Sequence, residues 1–432
     1  MNGFLDFIKD TPTAFHAANK CANVLKENGY KELAESSEWK LEAGGKYFFT
    51  RNNSSVYAFV IPSDLKELSF NITAAHLDSP TFKLKPNFTL DLGNYIKLNT
   101  EVYGGPIFMS WLDRPLNIAG RVLIREDNRT ITTKLLSFNR AICMIPNCSI
   151  HYNRELNKGY AFNPQNEMLP ILTDDRNNSD LLALIAKELN VEKGAIISYD
   201  LYLALLDRGM LVGPKKEFVM APQIDNLECS YGLLKSLLQA TPAAGTINVM
   251  CLFDNEEIGS GTRQGAASMV LADLLERITL SLGLSKEEYK RSLASSFIIS
   301  ADNAQGYHPS YAGKYDPTNA CYMNEGIVIK NAARGSYTTD ALSAAVFIRL
   351  CGRSGARYQL NTNRSDVPGG STLGAISQSK VSIPSVDIGL AQIAMHSAYE
   401  TAGAKDLEDL VKAITEFYQT HIHIPSDGTI EF

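Results

Sequence analysis

Residues 246–265, TINVMCLFDNEEIGSGTRQG, carry the pattern that decides the fold. Residues 247–253 form a short apolar run with β-branched residues, bounded by turn formers, which is typical of a buried strand. Glu256 and Glu257 follow this run, and a helix-like stretch begins after the next glycines. Open α/β sheets bind their ligands just beyond the ends of such strands. Because adjacent carboxylates repel one another, the stretch favours a nearby cation.

Two other interpretations of this stretch stay open at this point. Gly259, Gly261 and Gly265 resemble a dinucleotide-binding loop, although their spacing is G-x-G-x-x-x-G rather than G-x-G-x-x-G. A pyrophosphate bound there would face Glu256 and Glu257, which is electrostatically unfavourable. A solvated acidic turn explains the stretch as well as a metal site does until further ligands are found.

The composition describes an ordinary globular chain. With 432 residues, 45% of them hydrophobic and 20% charged, one to three domains are expected. The net charge of −6 argues against a main role in binding nucleic acid or an anionic membrane. The N-terminus lacks a basic segment followed by an apolar core, and no apolar run approaches the length of a membrane span. We therefore expect no signal peptide and no membrane partner.

The cysteines point to a reducing compartment. Seven cysteines are scattered along the chain without a C-x-x-C pair, which predicts reduced thiols in a cytoplasmic protein. Zinc-finger chemistry is therefore not expected. A transition metal in this chain would have to be bound by histidine and carboxylate side chains.

The order of predicted elements gives the domain organisation. Strands and helices alternate over residues 1–85 and 217–432, which predicts the α/β class and an α/β/α sandwich. Residues 86–216 differ, because short strands at 94–103, 107–112, 118–124 and 130–136 are separated by Gly, Pro, Asn and Asp. We expect this segment to be a β-rich module inserted into the sandwich.

Candidate ligands follow predicted strands or lie in turns of the alternating part. His76 and Asp78 come after a strand at 68–75, and in such pairs the imidazole binds metal while the carboxylate orients the ring. A satisfied surface histidine beside an aspartate is an equally good interpretation. Asp225 precedes a predicted helix at 229–238, where a helix N-cap is the simpler explanation.

Two further candidates complete the set. Asp302 follows a strand at 297–300, and His396 follows a strand at 382–387, where a lone histidine with apolar neighbours is usually core. Taken together, two histidines, the Glu–Glu pair and two separate aspartates suit two zinc ions that share a carboxylate. Two Zn²⁺ against three ligand carboxylates leave a positive surplus, which would lower the pKa of a bound water. A glutamate outside the ligand set could then accept its proton.

Five segments, in this order and spacing, resemble the aspartyl aminopeptidase family of dizinc metallo-aminopeptidases: TAAHLDSP, PQIDNL, FDNEEIGS, SADNAQGYHPSY and AMHSAYE. YGGPIFMSWLDRPLNIAGRV and GGSTLGAI extend the resemblance over nearly the whole chain. The resemblance implies an α/β/α catalytic domain interrupted by a β-rich dimerisation domain. It also implies that the enzyme removes the N-terminal residue of peptides and prefers Asp or Glu there.

The resemblance assigns a role to each candidate at the centre. It implies five ligands in two overlapping sets: His76, Asp225 and Asp302 for one zinc, and Asp225, Glu257 and His396 for the other. Glu256 would be the general base, and Asp78 would orient His76. Co²⁺ or Mn²⁺ could replace zinc, because they accept the same nitrogen and oxygen ligands.

Substrate contacts are implied at three positions. His151 matches a residue that reaches into a neighbouring subunit's active site, although a strand-edge histidine is the simpler interpretation. Lys330 would supply the cation that reads an acidic side chain, and its alternative is a solvated lysine at a strand end. His308 matches a histidine near the substrate. Gln305 stands where many relatives carry histidine, and because Gln carries no charge, the acidic preference is less certain than the peptidase activity.

The implied assembly is a homo-oligomer in which dimers form a tetrahedral dodecamer, located in the cytoplasm and acting on peptides. Two alternative functions stay open. A dizinc carboxypeptidase or deacylase on a related scaffold would need a positive group for the substrate's C-terminal carboxylate. A non-catalytic scaffold or cargo shell would be expected to have lost ligands or the base, whereas all are present here.

Overall fold

A computed structural model describes residues 1–367, 369–370 and 372–432. Pro368, and Ser371 of the GGSTLGAI motif, lie outside the described residues. The α-helices, numbered in chain order, are α1 (Asn2–Lys9), α2 (Ala14–Glu27), α3 (Pro164–Glu167), α4 (Leu181–Leu189), α5 (Ile224–Gln239), α6 (Val270–Ser281), α7 (Lys286–Ala294), α8 (Ala341–Ser354), α9 (Leu373–Val381) and α10 (Asp406–Tyr418). Of these described helices, none has the length and the apolar surface needed to pass through a bilayer.

The strands, also in chain order, are β1 (Lys31–Glu32), β2 (Lys46–Arg51), β3 (Ser55–Val60), β4 (Ser69–His76), β5 (Thr81–Asp91), β6 (Ile96–Tyr103), β7 (Leu116–Arg125), β8 (Ile131–Ser137), β9 (Ile171–Thr173), β10 (Ile196–Leu205), β11 (Met210–Val212), β12 (Phe218–Ala221), β13 (Thr246–Phe253), β14 (Phe297–Ala301), β15 (Ala304–Gln305), β16 (Ile327–Asn331), β17 (Tyr358–Thr362), β18 (Ser385–Gly389), β19 (Ala391–Ile393), β20 (Glu400–Gly403), β21 (His423–Ser426) and β22 (Thr429–Glu431). In the part of the chain that the structure describes, these strands form four sheets, of which three position the site.

The central sheet has nine strands in the order β1-β2-β3-β13-β4-β14-β18-β16-β17. Side chains alternate between its faces, so that Ala58 of β3 enters one hydrophobic core and Tyr57 enters the other. Helices α1, α2, α5, α8 and α10 cover the first face, and α6, α7 and α9 cover the second. The predicted α/β/α sandwich is confirmed.

A second sheet, β8-β7-β10-β5-β6-β9, has a hydrophobic core of its own. In that core Trp111 packs edge-on against Phe82, with 5.4 Å between ring centroids. The strand predicted at 107–112 is wrong, because Phe108–Trp111 is a 3₁₀ turn. A short apolar run does not by itself distinguish a strand from a buried turn.

The sequence did not predict the third sheet, β11-β12-β20-β19-β15. Its strands are two to four residues long, too short for a clear alternating pattern. This sheet places the start of α5, which follows β12, beside the turn that joins β19 to β20. Both segments carry side chains of the candidate site.

Candidate metal centre

Three neighbouring parallel strands end at the site. Strands β13, β4 and β14 lie side by side and run in the same direction, so their C-terminal ends meet at one edge of the sheet. His76 is the last residue of β4, and Asp302 directly follows β14. Glu256 and Glu257 begin a 3₁₀ turn just after β13. The same edge therefore collects one imidazole and three carboxylates.

Two turns of the third sheet complete the group. Asp225 is the second residue of α5 but has extended dihedral angles (φ −76°, ψ 107°), and the N-cap residue is Gln223. The N-cap interpretation of Asp225 is therefore wrong. His396 has a left-handed backbone (φ 68°), and its side chain is 34% exposed, so it is not the core histidine that its neighbours suggested.

Asp225 lies at the middle of the group. His76 Nε2 is 3.3 Å from Asp225 Oδ1 and 3.4 Å from Asp302 Oδ1. His396 Nε2 is 3.8 Å from Asp225 Oδ2 and 3.5 Å from Glu257 Oε2. One ligand atom each from His76, Asp225 and Glu257 lies within 4.8 Å of the others. The structure thus brings all five predicted ligands together, and the two oxygens of Asp225 face different histidines.

Burial excludes two of the simpler interpretations. The side chain of His76 is 1% exposed and that of Glu257 is 3% exposed. His76 is therefore not a surface histidine, and Glu257 does not belong to a solvated turn. Glu257 Oε1 and Asp225 Oδ1 are buried, and neither accepts a hydrogen bond from a described residue. Buried oxygens without donors are the atoms that a divalent cation would bind, so this donor set fits zinc.

The electrostatics also favour a cation. Burial, followed by the repulsion of Asp302, raises the pKa of Asp225, and burial with the repulsion of Asp225 raises the pKa of Glu257 well above its usual value. Burial raises the pKa of Glu256 to about 7, despite the attraction of His76. These carboxylates therefore hinder one another's ionisation, and positive charge between them would relieve this cost.

For two groups in the site, the neighbouring charges shift the pKa in the direction opposite to burial. Burial would lower the pKa of His76, but its close contacts with the carboxylates of Asp225, Asp302 and Asp78 raise it well above its usual value. Burial would raise the pKa of Asp302, yet the attraction of Lys330 and the contact with His76 lower it to about 2. The low pKa of Asp302 favours its carboxylate form.

Asp78 supports more of the site than its sequence position suggested. His76 Nδ1 donates to the Asp78 carbonyl (3.0 Å) and lies 3.4 Å from the Asp78 carboxylate. The same carboxylate accepts the backbone N–H groups of Glu256 and Glu257, each at 3.1 Å. Asp78 therefore orients His76 mainly through its backbone carbonyl, and its carboxylate fixes the turn that follows β13.

Sequence reasoning missed Glu400. Its buried carboxylate accepts the backbone N–H of Asp225 at 3.0 Å and that of His396 at 2.8 Å, and so ties together the two turns of the third sheet. Burial, with the repulsion of Asp225, raises the pKa of Glu400 well above its usual value. Glu400 ends the AMHSAYE segment, but no spacing rule distinguishes it from an ordinary surface glutamate.

The predicted substrate residues have different surroundings. Lys330 is not a solvated lysine, because it is 3% exposed, donates to the Asn303 carbonyl (2.9 Å) and lies 3.8 Å from Asp302 Oδ2. His308 is half-buried and accepts the Ser310 N–H, while His151 is exposed. Within the described residues, neither histidine forms a hydrogen bond or ion pair with the five predicted ligands.

This combination of fold and site defines a metal-dependent hydrolase of the α/β class. The model of the "Aminopeptidase I zinc metalloprotease (M18)" family matches residues 7–418. The chain therefore belongs to the M18 family of zinc aminopeptidases, and it is an enzyme. The dinucleotide-binding interpretation of residues 246–265 is wrong.

Relatives of known sequence and structure agree with this assignment. A protein of Clostridium novyi (strain NT), named "Probable M18 family aminopeptidase 2", is 46% identical over 424 residues, which cover 96% of this chain and 98% of the relative. Ape4, solved in a complex with Nbr1, is 32% identical with a TM-score of 0.92, covering 96% of this chain and 85% of Ape4. The S. cerevisiae mApe1 dodecamer is 28% identical with a TM-score of 0.83, covering 96% and 95% of the two chains.

Proposed function

We propose that this M18 enzyme is a two-zinc aminopeptidase that removes acidic residues from the N-terminus of peptides. The observation that carries the proposal is the position of Asp225, with one oxygen toward His76 and the other toward His396. An aspartate in that position suits a carboxylate shared by two ions. Glu256 supplies a further carboxylate that is not needed as a ligand, and its pKa is affected by the charges of His76, Asp302 and Asp225.

The proposed roles follow from these contacts. His76, Asp225 and Asp302 would hold one zinc, and Asp225, Glu257 and His396 would hold the other. When bound, the ions would supply Lewis acidity that polarises the scissile carbonyl and makes a water more acidic. Glu256 would accept the proton of the attacking water and pass it to the leaving amine. Asp78 supports this role, because it holds the backbone of Glu256 in place.

The acidic preference is proposed from the charge near Asp302. Lys330 is a buried cation in contact with that ligand, and an acidic side chain of the substrate needs a positive partner. His308 would add a polar contact. Gln305 is exposed and uncharged, so the preference should be graded, with Asp and Glu favoured over neutral residues rather than exclusive.

We further propose that the insert, predicted at 86–216, mediates dimerisation and that dimers assemble into a tetrahedral dodecamer. Its separate hydrophobic core supports an independent module, and the mApe1 relative is described as a dodecamer. Because β5 begins at Thr81, the module would start slightly before residue 86. A cytoplasmic location is supported by the seven cysteines, which form no disulfide in the described structure.

A peptide panel tests the proposed activity. Each peptide is offered with a free and with an N-acetylated terminus, its first residue is varied, and zinc is quantified in the same protein. We expect cleavage after the first residue, faster for Asp or Glu than for Ala, and no cleavage of the acetylated forms. Cleavage of acetylated peptides from the C-terminus would instead support the carboxypeptidase or deacylase. Zinc-free, inactive protein after careful purification would support the scaffold.

His151→Ala should lower turnover without removing zinc. In the proposed assembly this exposed histidine reaches the active site of a neighbouring subunit, so its loss would affect substrate contacts but leave the ligands intact. Turnover and zinc content are measured on the same assembled protein, with the adjacent exposed residue replaced in Tyr152→Ala as the control. An unchanged rate for His151→Ala would contradict participation across subunits.

A further inference from the structure

We propose that residues 103–110, a segment of the insert that begins at the last residue of β6, are a positioning element of the metal centre. This inference rests on the proposed function, since it assumes that the predicted ligands bind zinc. Its principal group is the hydroxyl of Tyr103, the last residue of β6. The insert would then help to position the metal centre of its own subunit as well as mediate dimerisation.

The Tyr103 hydroxyl contacts the residue that organises the site. It donates to Asp78 Oδ2 at 2.8 Å, and Asp78 in turn accepts the backbone N–H groups of Glu256 and Glu257 and lies beside His76. Without this hydroxyl, the Asp78 carboxylate would lose its one side-chain hydroxyl donor and be held only by the two backbone N–H groups and the contact with His76. One ligand from each proposed zinc set, together with the proposed base, depends on the orientation of Asp78.

The hydroxyl itself is held by a second network. Asn255 Nδ2 donates to the Tyr103 hydroxyl at 2.8 Å. Asn255 Oδ1 accepts from the Thr262 hydroxyl (2.8 Å) and the Gln264 amide (2.7 Å), so only one orientation of the Asn255 amide satisfies all three bonds. The tyrosine therefore acts as a donor toward Asp78. This network links the insert to the loop that follows β13.

Gly104 packs closely against Glu257, and Gly105 forms a hydrogen bond with His396. Gly104 has a left-handed backbone (φ 70°), and a Cβ at this position would lie 3.1 Å from Glu257 Cβ. The Gly105 carbonyl accepts a hydrogen bond from His396 Nδ1 at 3.2 Å, which leaves Nε2 on the side of Asp225 and Glu257. Segment 103–110 thus contacts the site at three points.

The end of the segment holds the turn that carries His396. Ile107 N–H donates to the His396 carbonyl at 2.9 Å, and the Ser110 hydroxyl accepts the Ala398 N–H at 2.8 Å. These bonds join the insert to the loop between β19 and β20. The ligand on that loop is the most exposed of the five, so it has the least support from its own surroundings.

Tyr103→Phe tests the proposal against the matched control Tyr202→Phe. Tyr202 packs edge-on against Tyr103, with centroids 5.6 Å apart, and its hydroxyl makes no hydrogen bond with a described residue. Zinc dissociation constants are measured by competition with a chelator, on the full-length protein. We expect zinc binding to be about 10- to 100-fold weaker in Tyr103→Phe, the usual effect of losing a group behind a ligand, and unchanged in Tyr202→Phe.

Gly104→Ala is the second variant, and it should also weaken zinc binding by displacing Glu257. Thermal unfolding of the zinc-free proteins separates positioning from folding. Tyr103→Phe loses two hydrogen bonds that Tyr202→Phe does not, so it should melt at a lower temperature but remain folded at the temperature of the zinc measurement. The inference would be overturned, without affecting the proposed function, if Tyr103→Phe and Gly104→Ala bound zinc as tightly as the wild type. It would also be overturned if Tyr103→Phe and Tyr202→Phe lost zinc affinity equally. A wild-type protein that binds no zinc would instead overturn the proposed function.

Discussion

Glu256→Gln should retain two zinc ions per chain and lose about 100- to 10,000-fold in turnover, the usual range for a general acid–base group. Glutamine has the same shape but cannot accept a proton at its amide, so water attack loses its base. The backbone N–H of residue 256 would still donate to Asp78, which preserves the turn. The rate constant kcat and the zinc content are measured on the same preparation.

Glu257→Gln is the matched control for this experiment. The two glutamates are adjacent, but only Glu257 is within 3.5 Å of His396 Nε2 and almost fully buried. This variant should lose zinc from one of the two sites, whereas Glu256→Gln should lose none. A Glu256→Gln enzyme that turns over at nearly the wild-type rate would show that another group is the base.

Asp225→Ala should abolish activity by removing both zinc ions. Its two carboxylate oxygens face His76 on one side and His396 on the other, so one substitution takes a ligand from each proposed set. The backbone N–H that donates to Glu400 remains, and the turn should therefore keep its shape. Elemental analysis of purified protein gives the zinc content per chain.

Asp302→Ala provides the comparison. Asp302 lies beside His76 and Asp225, and it has no ion pair or hydrogen bond with Glu257 or His396 in the described structure. The variant should weaken one zinc and leave the Glu257–His396 side able to bind the other. If Asp225→Ala retains two zinc ions per chain, the shared role of Asp225 is contradicted. Equal zinc loss in both variants would also remove the reason for calling Asp225 the bridge.

The centre of the fold could be predicted because its signals are local. Strands β4, β13 and β14 are short segments rich in apolar residues with polar residues at or just after their ends, a pattern typical of buried strands. Since parallel strands end at one edge, His76, Glu257 and Asp302 had to lie near one another. Asp225 and His396 were also candidates, but a helix N-cap and a core histidine explained them more simply, and the family resemblance assigned them as ligands.

The supporting groups could not be predicted, because they act across long distances in the sequence. Glu400 binds the backbone of Asp225, 175 residues away, and Tyr103 binds Asn255 across 152 residues. Glu400 accepts hydrogen bonds from the backbone N–H groups of Asp225 and His396. Because almost every residue type has a backbone N–H, the residue types at these positions do not reveal the contact. Neither contact follows from composition or periodicity.

Crystallographic anomalous scattering recorded at the zinc absorption edge tests the central claim most directly. The account predicts two zinc peaks in each subunit, one between His76 and Asp302, the other between Glu257 and His396, with Asp225 touching both. A single peak, or peaks away from these side chains, would contradict it.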